Sequence, residues 1–125
     1  FALNAAAASG KTATFGSTID ATTVTIAGAG TVAVTGAIIA PAINISANGT
    51  LDATGAITGA VDNTSGADGS GTLTLAADMG VSGAVGTTKT LLAVNLNAAT
   101  GNTATMGGIV KATNINLAGV GTKAF

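Results

Sequence analysis

The chain has 125 residues, 47% of them hydrophobic and 7% charged, with 19 Gly, one Pro, no Cys, no His and a net charge of −1. This balance excludes a disulfide framework or thiolate metal site, the basic footprint of a nucleic-acid binder, and the charge-rich, apolar-poor make-up of a disordered chain. The only aromatics are Phe1, Phe15 and Phe125, so a bulky aromatic core is not available, and the small or β-branched apolar residues suit thin, regular layers.

The chain opens on Phe1 rather than Met, which reads as a mature or excised piece of a secreted chain. The run Ala5 to Ala8 is too short for a signal-peptide core and lacks a basic flank. It also lacks the periodicity of a helix. From residue 23 onward the apolar residues recur at i, i+2, the period of a strand. TVTI (23–26), TVAV (31–34), INIS (43–46), TLTL (72–75), AVNL (93–96) and NINL (114–117) are such units. Thr or Asn fills the alternate positions, as on a solvated β face. Gly, Ala-Gly or Asn48-Gly49 separates the units and signals turns. Pro41 marks a corner between strands. The polar stretch 62–71, DNTSGADGSG, predicts a loop projecting from a regular body. Gly, Thr, Asn or Asp interrupts every apolar run, so no membrane insertion of this segment is expected.

Two stretches of the chain resemble each other at a spacing of roughly 70 residues. With one or two single-residue gaps, Val24/Ile26 fall on Val94/Leu96, Gly36 and Ile38 on Gly108 and Ile109, and Ile43/Ile45 on Ile115/Leu117. Residues 1–125 therefore read as a single β-repeat region holding about two copies of this unit, each worth three or four coils of about 20 residues. Short strands with small-residue corners predict an all-β fold, a mainly parallel β-solenoid. The alternative is an antiparallel β-sandwich of pilin type, which the absence of Trp and Tyr disfavours. The solenoid interior is expected to be lined by Val24, Ile26, Val32, Val34, Ile38, Ile43, Ile45, Leu73, Leu75, Val94, Leu96, Ile115 and Leu117.

The segment from Gly71 to Leu117, GTLTLAADMGVSGAVGTTKTLLAVNLNAATGNTATMGGIVKATNINL, resembles the passenger regions of rickettsial surface autotransporters of the outer membrane protein A and B type. Those passengers repeat a TLT-type strand, a Gly-rich step, a Thr-Lys-Thr-Leu-like turn, a VNL-type strand and an INL-type strand. The upstream stretch GTVAVTGAIIAPAINISANGTLDATGAITGAVDN is similar in idiom. The resemblance implies a β-helical stalk outside a Gram-negative outer membrane, with a role in adhesion or as a surface layer. It implies no catalytic residues. The C-terminal membrane barrel of that family has no counterpart in this chain.

No residue pattern points to catalysis, a cofactor or a metal. Without His, Cys, Glu or Arg, the reactive candidates are Asp20, Asp52, Asp62, Asp68, Asp78, Lys11, Lys89, Lys111, Lys123 and hydroxyls. No Ser stands beside a Lys in a recognisable nucleophile motif. The stretch from Asp62 to Gly69 offers oxygen ligands but departs from EF-hand spacing, and Gly66 to Gly71 echoes one incomplete copy of a calcium-solenoid nonapeptide. Gly28-Ala29-Gly30 lacks the third glycine of a dinucleotide loop and reads as a turn. Asn44, Asn48 and Asn63 each open an N-glycosylation sequon. The function expected from that resemblance is structural or adhesive: a non-enzymatic, rigid stalk or passenger segment at the extracellular, outer-membrane-associated bacterial surface. The alternative is a self-assembling filament or S-layer subunit. Expected partners are neighbouring repeats or further copies, and a host-cell receptor or surface.

Overall fold

The computed structural model describes residues 1–76 and 79–125. No helix is present among the described residues. The strands are β1 (Ala2–Ala5), β2 (Thr12–Phe15), β3 (Ile19–Asp20), β4 (Thr23–Ile26), β5 (Thr31–Val34), β6 (Ile38–Ile45) and β7 (Thr50–Ala53), then β8 (Ile57–Asn63), β9 (Thr72–Ala76), β10 (Met79–Val81), β11 (Leu91–Asn97), β12 (Thr103–Met106), β13 (Ala112–Ala118) and β14 (Thr122–Ala124). They alternate between two sheets. One runs β1-β4-β6-β8-β10-β12-β14, with β3 also paired to β6, and the other runs β13-β11-β9-β7-β5-β2. Every described strand pair is parallel. The chain therefore winds as a β-solenoid, contributing one strand of the six-stranded sheet per coil, six coils in all.

The coil, not the longer sequence similarity, sets the structural step. From Thr12 to Thr31 to Thr50 each step is 19 residues, from Thr50 to Thr72 it is 22, and from Met79 to Ala104 it is 25. Val24 and Ile26 lie on one sheet and Val94 and Leu96 on the other. The seventy-residue likeness thus relates strands of opposite sheets, three and a half coils apart.

Alternation explains the burial. In β4, β5 and β7 Val24, Ile26, Val32, Val34, Leu51 and Ala53 are buried and the alternate Thr, Ala33 and Asp52 positions half-buried, because successive strand residues point to opposite faces. Stacked coils then align the inward residues in rows. Val32, Leu51, Leu73, Val94 and Ile115 make one. Val34, Ala53, Leu75, Leu96 and Leu117 make a second. Leu3, Val24, Ile43, Val61, Val85 and Val110 line the facing sheet. Eleven of the thirteen residues predicted to line the interior are buried. The exceptions are Ile115, 43% exposed, and Leu117, 56% exposed. Both sit on inward rows, but β13 is the outermost strand of its sheet, so no further coil covers them.

Corners are tight where coils stack directly. Gly59 has φ 132°, and Gly83 lies over it so closely that a Cβ there would sit 2.5 Å from the Gly59 carbonyl carbon. Only a residue without Cβ at position 83 lets that bend pass so close to Gly59, which lies inside β8. Pro41 does not end a strand. It lies inside β6 where the pairing with β8 shifts register between Ile39 and Ala42, a position at which the missing ladder donor is tolerated.

Candidate functional site

The densest polar cluster lies where two consecutive corners bulge from the stack, residues 64–71 after β8 and 86–90 before β11. Its root is Asn63. This residue continues the inward row Ala5, Ile26, Ile45 and is fully buried, the one buried polar side chain among the described residues. Its amide nitrogen donates to the Ala67 carbonyl at 2.9 Å and the Thr90 carbonyl at 2.8 Å. Its Oδ1 accepts from the Ser65 backbone N–H at 2.9 Å and the Ser65 hydroxyl at 2.6 Å. A buried amide is tolerated because its donors and its acceptor are all used.

Two carboxylates fasten the second bulge to the first. Asp62 accepts from the backbone N–H groups of Thr88, at 3.0 and 3.1 Å, and Lys89, at 3.4 Å. Asp68 accepts from the Thr90 N–H at 2.9 Å. Consecutive backbone donors aimed at an anion form a nest, and here the chain fills its own. Lys89 Nζ donates to the Ser65 carbonyl at 2.7 Å, and the Gly69 N–H donates to the Thr90 carbonyl at 3.0 Å. The stretch 62–71 is therefore a pinned clasp, with Asp62 and Asn63 inside β8, rather than a free projecting loop.

The arrangement does little chemically beyond holding itself together. The structure does bring a serine and a lysine close, which no sequence motif signalled. Yet the Lys89 ammonium meets the Ser65 backbone carbonyl, while the Ser65 hydroxyl bonds Asn63 and the Ala67 carbonyl at 3.0 Å. The two carboxylates considered for calcium, Asp62 and Asp68, are bound to amides of the next coil, and no group of three acidic, His or Cys side chains assembles among the described residues. Asp78 lies outside the described residues. Lys123 donates to the carbonyls of Gly119 and Gly121 at 2.7 and 2.9 Å. Of the sequons, Asn63 is closed because its amide is buried and bonded, while Asn48 is exposed and its Oδ1 accepts from the Gly71 N–H at 3.3 Å. Gly28 and Gly30 flank a corner between β4 and β5, packed on Ala7 of the coil below. No pocket opens among the described residues, and no helix there is long and apolar enough to cross a membrane.

The role of Asn63 escaped the sequence reading because Asp-Asn-Thr-Ser looks like any polar turn. One signal was available: Val61 and Asn63 keep the i, i+2 spacing of Ile43 and Ile45.

The remaining surface is a regular outward array. Thr12, Thr31, Thr50 and Thr72 stand in register across four coils. Further along, Asn116 Nδ2 donates to Asn95 Oδ1 at 2.7 Å, and Asn95 Nδ2 to Thr74 Oγ1 at 3.1 Å. The two ends of the stack differ from this polar coat, with Ile115, Leu117 and Val120 all exposed on the last coil. No family model, curated protein or solved structure matches the chain.

Proposed function

We propose that the chain is a stiff structural segment of a bacterial surface protein, a stretch of autotransporter-like passenger that holds adhesive parts away from the outer membrane. The observation that carries this reading is the pair of inward apolar rows, from Ala13 to Ile115 and from Phe15 to Leu117, running through all six coils between two parallel sheets. Bending such a stack must stretch backbone hydrogen bonds on its convex side while compressing the packed coils on the other. Each coil adds about 4.8 Å of height, so six supply roughly 29 Å. A useful stand-off then comes from many coils of this kind in series, built from small residues. The Thr- and Asn-rich coat suits an extracellular surface and contact with a host-cell receptor or surface. The resemblance of its sequence phrases to those of rickettsial passengers supports a surface location.

The test is surface labelling. An antibody raised against the clasp, residues 64–70, should bind intact cells of the source organism and lose its target after brief protease treatment. Labelling that appears only after lysis would overturn the surface assignment.

A further inference from the structure

The corner between β6 and β7 carries the one Asn-Gly pair of the sequence, Asn48-Gly49. Coils are stacked on both sides of it, through β5 and β9, and these neighbours dictate both residues. The Thr50 N–H donates to the Gly30 carbonyl at 3.0 Å, and the Thr72 N–H donates to the Gly49 carbonyl at 2.9 Å. A Cβ at position 49 would sit 2.2 Å from the Gly28 carbonyl oxygen, so the corner admits only glycine there. Asn48 is exposed, and its Oδ1 accepts from the Gly71 N–H at 3.3 Å. The Gly49 N–H, by contrast, donates to no acceptor among the described residues.

We propose that Asn48 is a site of covalent self-modification, where the Gly49 nitrogen closes a ring on the Asn48 amide and the amide is lost as ammonia. An asparagine side chain is open to attack by the backbone nitrogen of the next residue. A side chain on that residue hinders the approach, and so does a hydrogen bond that holds the nitrogen's proton. Gly49 imposes neither. Each of the other asparagines precedes a residue with a side chain. The Gly49 nitrogen gives its proton to solvent and bonds to Asn48 Cγ. The bond from Cγ to Nδ2 then breaks, and the nitrogen leaves as ammonia with a proton from water, giving a five-membered cyclic imide. During the attack negative charge builds on Oδ1, which the Gly71 N–H already faces. One water then opens the ring at either of its carbonyl carbons. The net change is amide plus water to carboxylate plus ammonium, with no oxidant or further reactant. Gly49 is buried, so proton loss is slower in the folded chain than in the unfolded one, and the unbonded N–H keeps the reaction open.

The two products differ in consequence. An aspartyl linkage leaves the backbone unchanged and turns the bond from Gly71 into a charge-assisted one. An isoaspartyl linkage inserts a methylene into the main chain. The corner is tied on both flanks, Ser46 N–H to the Ile26 carbonyl and Thr50 N–H to the Gly30 carbonyl, each at 3.0 Å, so the extra atom must bulge outward and release Gly71. Either product adds one negative charge to a chain of net charge −1.

Peptide mapping by mass spectrometry of the folded chain, aged at neutral pH with ammonia assayed alongside, tests the proposal. A carboxyl should appear first at position 48, in both linkages by electron-transfer fragmentation, while Asn63 and the remaining asparagines stay amides. The urea-unfolded chain should convert faster at the same position. Asn48→Gln keeps an exposed amide but requires a larger ring. It should lose the ammonia release while its circular dichroism matches wild type. The proposal is overturned if position 48 of the folded chain is still an amide once the unfolded chain has converted. It is equally overturned if ammonia release persists in Asn48→Gln or begins at another asparagine. None of these results depends on where the protein resides.

Discussion

Asn63→Asp changes almost no volume yet should be among the most damaging substitutions in the chain. The wild-type amide donates to two carbonyl oxygens at 2.9 and 2.8 Å and accepts twice from Ser65, with no exposed surface. Removing the side chain in Asn63→Ala forfeits four bonds at about 1 kcal/mol net each. Water reaches the outer partners, so the loss should be about 2–4 kcal/mol. Asn63→Asp keeps the acceptor but turns a negative oxygen toward the Ala67 and Thr90 carbonyls, adding repulsion to the cost of burying a charge. At neutral pH it should cost more than the alanine variant. Burial and the facing carbonyls hold the introduced carboxyl above its ordinary value of about 3.9. When protonated it still donates one bond. The variant is thus closest to wild type below pH ~4 and loses stability as pH rises through the raised folded-state value. Urea unfolding followed by circular dichroism at several pH values measures this, and hydrogen exchange should show opening concentrated in 64–71 and 86–90. An Asn63→Asp variant within about 1 kcal/mol of wild type at pH 7, where surface changes usually fall, would refute the structural role given to this amide.

Ile45→Asp or Leu96→Asp, each at a fully buried row position, should abolish cooperative folding, whereas Leu117→Asp should leave single-copy stability within about 0.5 kcal/mol; thermal melts of dilute protein separate the two classes. Gly83→Ala forces a Cβ against Gly59 and should cost at least about 2 kcal/mol, in the range of overpacking. Gly66→Ala, with nothing within 4 Å of the new atom, should be neutral in the same denaturation assay. Calcium at millimolar concentration should not move the melting temperature, because Asp62 and Asp68 already bond backbone amides; a rise of several degrees would show a site that the clasp geometry argues against.

The strands were legible because their cause is local. TVTI, TVAV, TLTL, AVNL and NINL alternate a side chain that must be buried with one that tolerates water, and each lies in a strand. Small corners and the absence of Trp and Tyr were enough to choose a solenoid over a sandwich. Two things were not legible. Ile115 and Leu117 carry the same pattern as Val94 and Leu96, yet burial depends on whether another coil lies above, which alternation does not encode. The clasp depends on residues more than twenty positions apart, Asp62 with Thr88 and Asn63 with Thr90. Its members look like ordinary turn residues until the coils are stacked.

The described strand pairings join residues 18 to 25 positions apart, as in Ala42 with Ala60 and Met79 with Ala104, and this spacing does not grow along the chain. Loop closure therefore costs much the same for the sixth coil as for the second. A chain delivered from its N-terminus through a narrow opening could lay down each coil on the one before it, without waiting for the remainder to emerge. The finished edge would template the next strand. Folding on the far side would then act as a ratchet, opposing backsliding by each newly closed coil and drawing the chain outward as the rod lengthens.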